Sequence, residues 1–137
     1  MSTEFTQLNH GWNADPNVPR ESIQVVGHDL ALEFFANPYQ FKEFKRGQKL
    51  RIRFSNATQF RLGRPNDEGW YMGQCRFSKL APSWGEFYEV SGDLRLDVVR
   101  DERTPVQAPT GRTKHFLFYL RESTFECDAE SWSLEYI

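Results

Sequence analysis

Histidine and cysteine are scarce in this chain. Its 137 residues hold three histidines, His10, His28 and His115, and two cysteines, Cys75 and Cys127. The histidines do not share the short spacing that a zinc site draws on, so no metal site is expected. Asn66-Asp67-Glu68 offers oxygen donors, but a polar cluster between strands is the usual composition of a solvated turn. Both cysteines stand in apolar stretches and read as small buried hydrophobes of a reducing compartment, not as a disulfide. No Gly-x-Ser-x-Gly elbow, Gly-rich phosphate loop or Gly-x-Gly-x-x-Gly turn occurs. The usual sequence marks of hydrolase, nucleotide and dinucleotide chemistry are therefore missing, and no cofactor is expected.

Neither sign of charge dominates. A formal net charge of -2 provides no field to recruit nucleic acid or an anionic membrane, so neither partner is expected. Met1 to Gln7 lacks a basic start followed by an apolar run, and no segment reads as a membrane span, which makes a cytoplasmic location the expectation.

Aromatic rings are abundant: 12 Phe, 5 Tyr and 4 Trp against 2 Met. Large rings pack well on a pleated surface, and the length suits a single domain over 1–137 with one core. Residues 1–20, with Gly11, Pro16 and Pro19 among Asn and Asp, read as an N-terminal arm or loop. Ser22 to Val26 and Asp29 to Phe35 flank Gly27-His28, a glycine-first connection that suits a type II′ hairpin. Tyr39 to Arg46 has the spacing for at most one short helix. Leu50, Ile52 and Phe54 then alternate with Lys49, Arg51 and Arg53, the period of a strand with one buried and one polar face. Ser55-Asn56-Ala57 leads into Thr58 to Gly63, and Trp70 to Phe77 follows, which together predict a three-strand meander. Gly85 to Ser91 and Leu94 to Val99 predict a second hairpin.

Residues 100–112 combine charge, two prolines and a glycine without apolar periodicity, and read as a mobile surface loop. His115 to Arg121, Phe125 to Cys127 and Trp132 to Tyr136 close the fold, with Phe116, Phe118 and Leu120 as a buried set. Roughly nine strands result. The fold class is mainly β, an antiparallel two-sheet sandwich of jelly-roll type or a closed barrel.

Several strands carry rings and polar groups on both faces, which solvent alone does not favour for Trp and Met. If Tyr71, Cys75 and Phe77 face inward, Trp70, Met72, Gln74 and Arg76 face outward. Arg51, Arg53, Arg61, Trp70, Gln74, Arg76, Tyr88, His115, Tyr119 and Arg121 are thus candidates to line one concave sheet face as a ligand-binding surface. Arginine forks suit carboxylates or phosphates, and aromatic rings suit sugars. For catalysis, the economical arrangement pairs Glu86 or Glu89 with His115 or Tyr119 as acid and base. Asn9 to Asn13 forms a loop that can fold over the pocket, with Trp12 pinning it to the core. Three expectations follow. The first is a homo-oligomeric, dimeric domain that binds a small polar or anionic ligand, or a protein partner. The second is an enzyme acting on a small polar substrate in a barrel mouth, and the third a structural oligomerisation domain with no ligand.

Overall fold

Alternation of apolar and polar side chains sorts the chain into two antiparallel sheets whose apolar faces meet. The computed structural model describes residues 3–63, 81–92, 103–121 and 123–137. Among these residues there are ten strands and no helix: β1 (Glu4–Gln7), β2 (Ser22–Val26), β3 (Asp29–Phe35), β4 (Lys49–Ser55), β5 (Gln59–Gly63), β6 (Phe87–Ser91), β7 (Thr104–Pro105), β8 (Lys114–Tyr119), β9 (Thr124–Ala129) and β10 (Ser131–Tyr136). The larger sheet runs β1-β6-β8-β9-β5-β7 and the smaller runs β10-β4-β3-β2. Among the described residues each sheet keeps two free edges, so the architecture is a β-sandwich and not a closed barrel.

Between the sheets, Phe34 and Phe54 of the smaller meet Phe87, Phe116, Phe118 and Phe125 of the larger, all at most 1% exposed. Burying a ring of this kind contributes about 1.5–3 kcal/mol. Ring centroids 5.4 Å apart for Phe54 and Phe116, and 5.5 Å apart in an edge contact for Phe34 and Phe118, show that the rings interlock across the layer. Trp12 joins this core from the N-terminal arm, 5% exposed and in ring contact with Phe34, Phe87, Phe118 and Trp132. Cys127 is a free, buried thiol in the same layer, and burial pushes its pKa well above the usual range.

The first hairpin follows expectation. Val26 is opposite Asp29, and Gly27 takes φ 63°, the left-handed value that the first residue of a type II′ turn requires. β4 also follows it, with Leu50, Ile52 and Phe54 fully buried and the arginines between them half-buried.

Other expectations need correction. Tyr39 to Arg46 is a succession of tight turns, not a helix. Asn37 Oδ1 accepts from the N–H groups of Tyr39 and Gln40 at 2.9 and 3.1 Å, and Phe44 N–H closes on Phe41 O at 3.1 Å. An Asx turn that competes for the first amides leaves no helical ladder to propagate. The meander also fails, because β4 pairs with β3 and β10 while β5 pairs with β7 and β9. Ser55 to Thr58 carries the chain from one sheet to the other, with Asn56 at φ 50°. The 1–20 arm contains β1, an edge strand on β6, and the bridge between Ala14 and Ala36. Within 100–112, Thr104 and Pro105 add β7 beside β5, and Gln107 Nε2 donates to Ala57 O at 2.9 Å. The strands expected at Trp70 to Phe77 and Leu94 to Val99 lie outside the described residues.

Candidate functional site

The outer face of the larger sheet holds His115 and Glu126 away from water. Register places Val90 opposite His115, His115 opposite Asp128, and Asp128 opposite Gln59, so these side chains form one row across β6, β8, β9 and β5. His115 lies between two carboxylates: Nδ1 is 2.7 Å from Asp128 Oδ1 and Nε2 is 2.7 Å from Glu126 Oε1. The His115 and Glu126 side chains are only 3% and 4% exposed. Two ionised carboxylates against two ring nitrogens are satisfied only when both nitrogens donate, which is the imidazolium form.

Burial is the strongest influence on His115 and by itself opposes the charge. The bonds to Asp128 and Glu126, with their negative charge, outweigh it and raise the pKa above 6.5. Asp128 mirrors this: burial pulls its pKa up, but the His115 bond and charge, the Gln59 amide and Arg103 hold it below 3.8. Gln59 Nε2 donates to Asp128 Oδ2 at 2.5 Å, and Arg103 Nη1 stands 3.6 Å from the same oxygen. Both His115 nitrogens are committed within the protein. Beside this row, Tyr88, Val90, Leu117 and Tyr119 form a second apolar cluster with Phe5 and Trp84.

A cleft of about 250 Å³ opens where four segments converge. Asn13, Ala14 and Pro16 come from the arm, Asn37 and Gln40 from the turns after β3, Trp84, Gly85 and Glu86 from the approach to β6, and Tyr119, Leu120 and Arg121 from the end of β8. Trp84 lies against Tyr119, with centroids 4.9 Å apart. Asn13 Nδ2 donates to Gly85 O at 2.7 Å, which clamps the arm to the β6 approach. Glu86 Oε2 accepts from Asn9 Nδ2 at 2.6 Å and from Gln7 Nε2 at 3.1 Å, and Arg121 Nη1 donates to Asn17 O at 2.8 Å. Three polar groups of the cleft have no protein partner among the described residues: Asn37 Nδ2, the Gln40 side-chain amide and Glu86 Oε1.

The candidate residues are divided between these places. Glu86, Tyr119 and Arg121 come together in the cleft. Arg51 and Arg53 do not join them, because β4 belongs to the smaller sheet and they lie on its outer face. There Arg51 pairs with Glu33 at 3.0 Å and Arg53 with Asp29 at 3.1 Å. The single concave face expected from the sequence is therefore split across two sheets. Arg61 is opposite Glu126 on the larger sheet, and Tyr88 donates to Ser83 O at 3.1 Å beneath the second cluster. Glu89 shares a face with Phe116 and His115 with Val90, so Glu89 and His115 project to opposite sides of the sheet. The carboxylates that meet His115 are Glu126 and Asp128, which the sequence did not single out. Trp70, Gln74 and Arg76 lie outside the described residues.

Sequence reasoning missed Asn13, Asn37, Gln40 and Trp84 as cleft residues. Asn13 alone carried a signal, as part of the loop expected to fold over a pocket. No family model, no curated protein and no solved structure matches this chain.

Proposed function

We propose that this β-sandwich is a non-catalytic binding domain whose cleft takes a small neutral molecule rich in hydroxyl groups, such as a monosaccharide or related polyol. The observation that carries this reading is the set of polar groups without a partner among the described residues in a cleft that Trp84 also lines: two amides and one carboxylate oxygen. Hydroxyl groups both donate and accept, so they satisfy such a mixed set, and the C–H face of a sugar packs on an indole. A volume near 250 Å³ is on the scale of one such ring. An anionic ligand is less well served, because Arg51 and Arg53 are already engaged by carboxylates and the cleft sets Glu86 against Arg121.

The enzymatic alternative draws support from one fact, a buried glutamate within hydrogen-bond reach of His115. Both ring nitrogens are spoken for, however, and the ring lies outside the cleft lining, so it has no donor or lone pair to offer a substrate.

Titration calorimetry against neutral sugars, polyols, sugar phosphates and carboxylates tests the proposal. Neutral polyols should bind, Gln40→Ala should weaken binding by up to about tenfold, and Trp84→Ala by more. Arg51→Ala should leave it unchanged. Absence of polyol binding up to about 50 mM, or tighter binding of phosphates that depends on Arg121, would overturn it.

A further inference from the structure

The described strands leave four sheet edges, and three are blunted. β1 has four residues and includes Glu4, β7 has two and includes Pro105, and β10 carries Glu135. β2, Ser-Ile-Gln-Val-Val, has neither charge nor proline, and exposes Val25 at 51% and Val26 at 45%. Soluble proteins guard edges with charge, proline or shortness because a row of unpaired amides templates another strand.

Backbone parity shows which groups of β2 are unpaired. Ala36 N–H donates to Gln48 O on the β4 side at 2.8 Å, whereas Phe35 N–H donates to Pro19 O on the β2 side, also at 2.8 Å. Odd-numbered residues of β3 therefore bond towards β2. Through the pairs Ser22 with Glu33, Gln24 with Ala31 and Val26 with Asp29, they engage the even-numbered residues of β2. The N–H and C=O groups of Ile23 and Val25 point away from the sheet and have no partner among the described residues.

We propose that β2 pairs antiparallel with β2 of a second copy of this chain, about a two-fold axis at Gln24, so that the two smaller sheets become one continuous sheet. In this register Ile23 of each copy faces Val25 of the other, and every outward N–H and C=O of the two residues finds a partner. Gln24 lies opposite its own counterpart and Ser22 opposite Val26, so no charged side chain opposes another within the paired segment. A second copy fits this edge because β2 carries no charge, so self-pairing sets no like charges together and brings Ile23 of each copy against Val25 of the other. A five-residue edge buries less than the roughly 1,200–2,000 Å² of a standard stable interface, so the dimer forms only at elevated concentration.

Sedimentation velocity on the full chain from about 1 to about 500 μM reads the association. The wild type should pass from monomer to dimer across that range, and Val25→Lys should stay monomeric. Position and register are read by oxidising single-cysteine additions against the wild-type baseline. Gln24→Cys should cross-link to its counterpart, because a non-hydrogen-bonded pair sets Cα atoms about 4.5 Å apart, within disulfide reach. Ser22→Cys, opposite Val26, should not, and this contrast stands even if Val25→Lys unfolds. A monomer throughout the range, a dimer untouched by Val25→Lys, or equal cross-linking of the two cysteine variants would overturn the proposal.

Discussion

The outer faces of the two sheets carry similar side chains in opposite environments. On the smaller sheet, Arg51 with Glu33 and Arg53 with Asp29 are ion pairs whose side chains remain 19% to 37% exposed. On the larger sheet, His115 with Glu126 is an ion pair at 3% and 4%. Water screens the first kind, and their net contribution is small. It cannot reach the second, where the charges must satisfy one another completely. The same chemical vocabulary is therefore decoration on one face and structure on the other, and burial decides which.

The contrast breaks first if the buried pair proves dispensable. Glu126→Ala leaves an imidazolium facing an empty site, and should lower stability by about 3–5 kcal/mol in denaturant titrations. Replacing His115 and Glu126 together with leucine should recover part of that loss, since it removes both members of the most buried pair and leaves Asp128 its bonds to Gln59 and Arg103. A loss below about 1 kcal/mol for Glu126→Ala would place the row with the surface pairs.

A pH titration of stability sharpens the same point. The folded pKa of His115 lies above its unfolded value of 6.5, so its contribution is complete below pH 6.5 and is lost as pH rises through the folded pKa. The folded pKa of Asp128 lies below 3.8, so its contribution is complete above pH 3.8 and is lost as pH falls through the folded pKa. Stability should thus decline on the alkaline side of 6.5. His115→Gln should flatten that limb, which unfolding midpoints across buffers will show. The smallest effect is expected on the other face, where Arg53→Ala should cost less than about 1 kcal/mol by the same denaturant assay.

This difference also governs what could be read from the sequence. β4 was legible because one of its faces is wet, so Lys49, Arg51 and Arg53 alternate cleanly with buried residues. For β8 the strand and its inward set Phe116, Phe118 and Leu120 were legible, but the burial of its other face was not, since alternation does not say that His115, Leu117 and Tyr119 are covered as well. The β2–β3 hairpin was legible because Gly27-His28 encodes its own turn. The partner of β5 was not, because period two assigns a face and says nothing of the neighbouring strand. Glu86, Tyr119 and Arg121 were recognised by residue type, whereas Asn13, Asn37, Gln40 and Trp84 reach the cleft from segments far apart in the chain. The arginines scattered because strand order, not spacing, places β4 in the other sheet.

Trp12 gives the cleft an unusual kind of wall. Asn13 and Ala14, which line it, follow directly on an indole wedged among rings of both layers. Swinging that wall outward would extract the indole from its socket, so the arm behaves as a fixed jaw and not as a hinged flap. A guest of the proposed kind would enter a mould that exists in its absence, and its affinity would be reduced little by ordering the host.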